Sequence, residues 1–203
     1  MQKRYFQSAL WYRKNTHPDP IGDVSLVFDR FTHTEIRIFI YKMLDAAYRY
    51  DIWNDGPVSV FIQYMETLEL ALEVTHDLYK QIMDAPTKVS VYLQPVQKVP
   101  VTRARIFQFQ PIPRMMTLHD LKDPVRLIKQ IFRFAELDAW KRILKDRTLL
   151  ALDITDARSL LYPIDGLLLY NHLSKLVDLM YMIHSQIKES ESLKETKEKT
   201  AKE

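Results

Sequence analysis

Apolar positions along the chain recur mostly at helical spacing. The clearest run starts at Thr32, where Thr32 and Glu35 make the S/T-x-x-E pattern that satisfies two orphan amides reciprocally. Ile36, Ile40, Met43, Ala47 and Tyr50 then follow at three- and four-residue intervals, until Asn54–Asp55–Gly56–Pro57 stops the run. Pro57 suits the first position of a second helix, which carries Phe61, Met65, Leu68, Leu72, Tyr79 and Ile82 to Asp84–Ala85–Pro86. A short connection between two such helices predicts an antiparallel hairpin.

The period then changes. Val89, Val91 and Leu93 alternate with Lys88, Ser90 and Tyr92, and a second alternating run places Val101, Arg103, Arg105, Phe107 and Phe109 on one face. The bounding prolines suit edge strands. This predicts a small antiparallel β-ribbon near residues 87–110, which must pack on the helices or on a partner, since two strands alone are marginal in water.

Helix returns at Asp123–Pro124, an N-cap followed by proline at the first helical position, with Ile128, Ile131, Phe132, Ala135, Ala139 and Ile143 as one buried face. The last helix begins near Pro163 and is apolar nearly all round, from Leu167 to Ile183, with Leu169, Leu173, Leu176, Met180, Ile183 and Ile187 close to heptad spacing. Such a helix needs cover on most sides. It is either the centre of the domain or the seat of a partner. Before Arg30 the pattern is short; Val24, Leu26 and Phe28 alternate too briefly to assign an element.

These readings add up to a mainly α fold: a bundle of about four long helices with the ribbon inserted between the second and third. There is no internal repeat and no flexible linker, so residues 1–187 read as a single domain. Residues 188–203 carry five bases and five acids with few apolar groups, and read as a charged tail or helix extension.

Composition excludes whole classes of chemistry. Among 203 residues there is no cysteine, which removes disulfides, thiolate nucleophiles, zinc fingers and iron–sulfur sites together. There are only three glycines, Gly22, Gly56 and Gly166, too far apart for a P-loop, a dinucleotide fingerprint, a kinase loop or a nucleophile elbow. No run approaches the length of a membrane span. A cysteine-free chain suits the cytoplasm or another reducing intracellular compartment. The acid-free start, with Lys3, Arg4, Arg13 and Lys14 among Tyr5, Phe6, Trp11 and Tyr12, leaves organelle import open.

Three functional readings follow. The first is a non-enzymatic binding or assembly protein acting through protein–protein contacts, with another protein or a second copy as partner, because three Trp, eleven Tyr, nine Phe and eight Met are the residue types of interface cores. The second is nucleic-acid binding. Between Asp84 and Asp120 there is no acid, while Lys88, Lys98, Arg103, Arg105 and Arg114 supply charge and Phe107 and Phe109 supply faces for stacking. A further basic row, Arg126, Lys129, Arg133 and Lys141, extends that charge or forms the wet side of a helix.

The third reading is a helical-bundle metalloenzyme around Glu73 and His76. Glu66, Glu69, Glu73 and His76 share one side of their helix, and Glu-x-x-His is the pair that di-metal bundles use. Those bundles use it twice. Here the residues three before the other histidines are Lys14, Arg30, Met116, Leu169 and Tyr181, none a ligand. The glutamates lie around from the apolar stripe, on the flank expected to face water. No two histidines lie two to four apart, so no compact zinc site can be drawn either. The expectation is no catalytic residue, no metal and no cofactor.

Overall fold

The computed structural model describes residues 20–49, 52–84, 93, 115–152 and 164–200. These form seven helices and, among the described residues, no strand: α1 (Pro20–Val27), α2 (His33–Arg49), α3 (Val58–Asp84), α4 (Leu118–Lys122), α5 (Pro124–Phe134), α6 (Leu137–Ala151) and α7 (Gly166–Thr200). The protein is mainly helical. The ribbon expected near residues 87–110 lies outside the described residues, except for Leu93, which is buried in the core.

Local chemistry sets the helix starts. Thr32 and Glu35 close their capping box, with the Thr32 amide and hydroxyl both donating to Glu35 Oε2 at 2.7 and 2.8 Å. Asp123 caps α5 by accepting the Arg126 amide at 2.9 Å, and Pro124 opens that helix. Pro57 falls one position before α3, its carbonyl taking the amides of Val60 and Phe61. Gly56 supplies the turn before it with a φ of 141°, which a side chain would strain. Within the ambiguous stretch before Arg30, Pro20–Val27 is helical, and Pro20, Ile21, Val24 and Val27 are its buried positions.

Two expectations are corrected. The helix beginning at Pro124 does not continue to Ile143 but breaks at Ala135 and Glu136, both extended. Trp140 is completely buried, and its indole donates to the Ile131 carbonyl at 3.1 Å, the same carbonyl that the Ala135 amide reaches at 3.5 Å. Burying that indole shifts the apolar phase by one residue, to Trp140, Ile143, Leu144 and Ala151, and the chain turns to allow it. Nor do α2 and α3 pack side by side as a hairpin. The main contacts of α2 are with α6 and α7, and it meets the start of α3 at an aromatic junction. Phe39 lies 5.1 Å from Phe61, 4.5 Å from Tyr64 and 5.6 Å from Trp53.

The all-round apolar helix is the central one. α7 is walled by α1, α2, α3 and α5, which bury Leu169, Leu173, Leu176, Val177, Leu179, Met180 and Ile183. It runs antiparallel to α2, since His33 faces Tyr181, Arg37 faces Asp178, Tyr41 faces Tyr170 and Tyr48 reaches Ile164. Its helical path extends to Thr200, so the charged stretch from Lys188 prolongs the helix. Among the described residues no helix is long and apolar enough to cross a membrane.

Candidate functional site

Two charged side chains interrupt the apolar surface of α7, and the fold is organised around them. Asp178 is fully buried. Its Oδ1 takes His33 Nε2 at 2.6 Å and lies 3.5 Å from Arg37 Nη1, while Oδ2 accepts the Met115 amide at 2.9 Å. One turn earlier, Lys175 Nζ donates to Oδ2 of Asp120 at 2.8 Å. Asp120 is itself buried, accepts the Thr117 amide and hydroxyl at 2.9 Å each, and lies 3.5 Å from Arg126 Nη2. Burial pushes the Asp120 carboxyl up, but the bonds from Lys175 and Thr117 outweigh it and hold it below its ordinary value.

This polar seam joins α2, α4, α5 and α7 to the chain entering from the basic stretch. Met115 is pinned by Asp178, Met116 is buried, and Thr117 closes a capping box with Asp120. Lys88, Lys98, Arg103, Arg105, Phe107, Phe109 and Arg114 themselves lie outside the described residues. What the structure defines is their flanks: α3 ends at the exposed Asp84, Leu93 is buried, and Met115 is held by Asp178.

His33 and Asp178 pair like the orienting half of a catalytic triad, yet they are only 3% and 0% exposed. That imidazole is closed off from solvent, and its ring packs on Tyr181 at 4.6 Å. The pair is a structural tie across 145 positions of sequence. Sequence reasoning passed over it, although the signal was present as two charges, Lys175 and Asp178, set in an otherwise apolar helix.

Glu73 and His76 part company. Glu73 does not face water as expected; it is buried and paired with Lys141 of α6. Lys141 holds Oε1 of that carboxylate. His76 sits edge-on to Phe132 at 5.2 Å, and burial, with a smaller push from Lys80, lowers its pKa. No group of three or more metal-ligating side chains occurs among the described residues. His76 lines a cleft of about 370 Å³ with Tyr79, Phe132, Glu136 and Asp138. A second cleft, about 580 Å³, lies between Asp45 and Trp53, and the Lys42–Asp55 pair at 2.8 Å neutralises two of its charges.

The outer face of the α2–α7 pair is different in kind. Ile38 and Tyr41 are 50% and 57% exposed, Leu167 and Leu168 69% and 44%. Tyr41 meets Tyr170 with ring centroids 6.3 Å apart, and Ile38 and Leu167 each lie three residues from one of these rings, on the same helix face. The four side chains make one apolar strip crossing both helices. Compared with known proteins, the chain matches no family model, no curated protein and no solved structure.

Proposed function

We propose that the protein is a non-enzymatic binding and assembly module, and that copies of the chain associate through the apolar strip of α2 and α7. The observation carrying this reading is the exposure of Ile38, Tyr41, Leu167 and Leu168 on an antiparallel helix pair, with the half-buried Tyr170 ring joining Tyr41 across it. Contiguous apolar patches are scarce on monomers and mark contact sites. Burying such a surface is favourable by about 25 cal/mol per Å². Aromatic and aliphatic side chains are what the apolar centre of an interface uses, and Lys42 and Asp45, four residues after Ile38 and Tyr41, supply a charged edge.

A second copy suits this strip. An uncharged aromatic and aliphatic surface is complementary to itself, and a two-fold contact places the same patch on both sides. The formal net charge of +3 offers little repulsion between copies. The sealed His33–Asp178 pair and the Lys141-bound Glu73 favour a binding role over a catalytic one.

Sedimentation equilibrium over a range of protein concentrations tests the reading. The mass should rise towards that of a dimer, and Tyr41→Glu with Leu167→Glu should return it to that of one chain while the helical circular dichroism is kept. A single-chain mass at every concentration, or a variant that dimerises like the parent, overturns it.

A further inference from the structure

We propose that the outer face of α5 is a contact surface for the phosphate backbone of nucleic acid, an inference independent of the assembly reading. α5 contains no acidic residue. Its apolar face, Leu127, Ile128, Ile131 and Phe132, is buried towards α3 and α7. On the opposite face Arg126, Lys129 and Arg133 follow at intervals of three and four, which confines them to an arc of about 60° and a rise of about 10 Å. Lys122 precedes them in the last turn of α4, and Lys175 of α7 joins them through their shared partner Asp120.

The carboxylates nearby do not cancel this charge. Asp120 is buried and committed to Thr117 and Lys175, and Asp123 is committed to the Arg126 amide as a helix cap. Lys122, Arg126, Lys129, Arg133 and Lys175 against Asp120, Asp123 and the exposed Glu136 leave a local excess of +2. Among the described residues, Lys122, Lys129 and Arg133 make no ion pair or hydrogen bond. The stripe begins where the acid-free stretch that follows Asp84 ends. Three cations without a partner among the described residues, Lys122, Lys129 and Arg133, thus lie in one row with Arg126.

The surroundings select the ligand. An amphipathic helix that lies on a membrane inserts its apolar face into lipid, and that face of α5 is used up in the core. A protein partner needs apolar area at the centre of its contact, and the positions between these cations offer only Gln130. A row of cations at helical spacing, with no exposed large apolar side chain on its helix, suits a regularly charged backbone; duplex DNA carries one charge per about 1.7 Å of axis. The contact is positional and does not read bases.

Fluorescence anisotropy of a labelled random duplex and of a labelled oligo-dT, each titrated with the full chain at several potassium chloride concentrations, tests this. Binding should weaken steeply with salt, with a slope of log K against log salt of about −3 to −4 for the duplex. The triple variant Lys122→Gln, Lys129→Gln, Arg133→Gln should reduce that slope by about 2 to 3 and weaken low-salt binding more than about tenfold. Its thermal melt should be unchanged, and exchanging Lys for Arg and Arg for Lys at the same positions should restore binding. The proposal is overturned if neither nucleic acid binds at low salt. It is equally overturned if the triple variant binds like the parent while Arg103→Ala with Arg105→Ala removes binding, or if phosphatidylserine vesicles bind and neither nucleic acid does.

Discussion

Asp178 shows what one buried carboxylate has to accomplish. Desolvating a charge costs several kcal/mol, and only good hydrogen bonds offset it. Here an imidazole, a guanidinium and a backbone amide converge on the two oxygens. Asp178→Ala strands all three donors, so it should cost about 3–5 kcal/mol of stability, read as a lower urea midpoint. Ser174, one turn earlier, is the opposite case. It is fully buried, and its hydroxyl has no hydrogen-bond partner among the described residues. Ser174→Ala removes an unpaired hydroxyl and should be neutral or stabilising by up to about 1 kcal/mol in the same titration. A large loss there would mean that the hydroxyl has a partner.

At the scale of elements, the start of α7 depends on the one glycine within it. Asp165 caps the helix by accepting the amides of Leu167 and Leu168 at 2.7 and 3.1 Å. The Tyr48 hydroxyl donates to the Ile164 carbonyl and lays its ring against Gly166. A Cβ on Gly166 would come 2.7 Å from Tyr48 Cε2. Gly→Ala inside a helix ordinarily gains about 0.5–1 kcal/mol; here overpacking reverses the sign, and Gly166→Ala should lower the melting temperature by the equivalent of about 1–3 kcal/mol. Adding Tyr48→Ala to it should recover part of the cost attributable to the clash, which a double-mutant cycle measures.

The elements differ in how plainly they could be read from sequence, and the physics explains the difference. Thr32–Glu35 and Asp123–Pro124 are local signals satisfied within a few residues, so the starts of α2 and α5 were legible. The break at Ala135–Glu136 carries no proline or glycine; it is imposed by Trp140 reaching back to Ile131, a tertiary demand. Thr117–Asp120 is a short capping signal that was passed over because its helix is only five residues long. The seam at Asp178 was illegible in its pairing, since His33 lies 145 positions away. The strip on α2 and α7 needed both helices side by side before Tyr41 and Tyr170 could be seen to touch.

For the whole molecule, two half-buried histidines and one buried carboxylate make stability depend on pH in two stages. Burial lowers the pKa of His76, aided by Lys80, and of His172, aided by Lys175. His172 stacks on Phe134 at 4.2 Å. Their folded values lie below the ordinary value of about 6.5, so the unfolded chain binds protons first as pH falls. Stability should therefore decline below about pH 6.5 until the folded imidazoles also protonate. Asp120 acts lower down: its depressed carboxyl contributes stability that is present above about pH 4 and is lost as pH falls through its folded value. Melting temperature followed from about pH 8 to about pH 3 should show both declines. His76→Gln with His172→Gln should flatten the upper one, and an unchanged upper decline in that variant would contradict the assignment.

Because α1, α2, α3 and α5 all lean on α7, the order of synthesis matters. These helices leave the ribosome before the one they enclose has been made, and α2 in particular waits for Asp178, 145 residues after His33. Folding of a nascent chain proceeds from its amino-terminal end; α1 can pack on α3, and α6 on α2 and α3, but the faces turned towards α7 stay open, and sequence-distant contacts form slowly. The newborn chain thus passes through an interval of exposed Leu and Ile faces in which a holdase has something to grip, and the translation of residues 166–187 is the event that ends it.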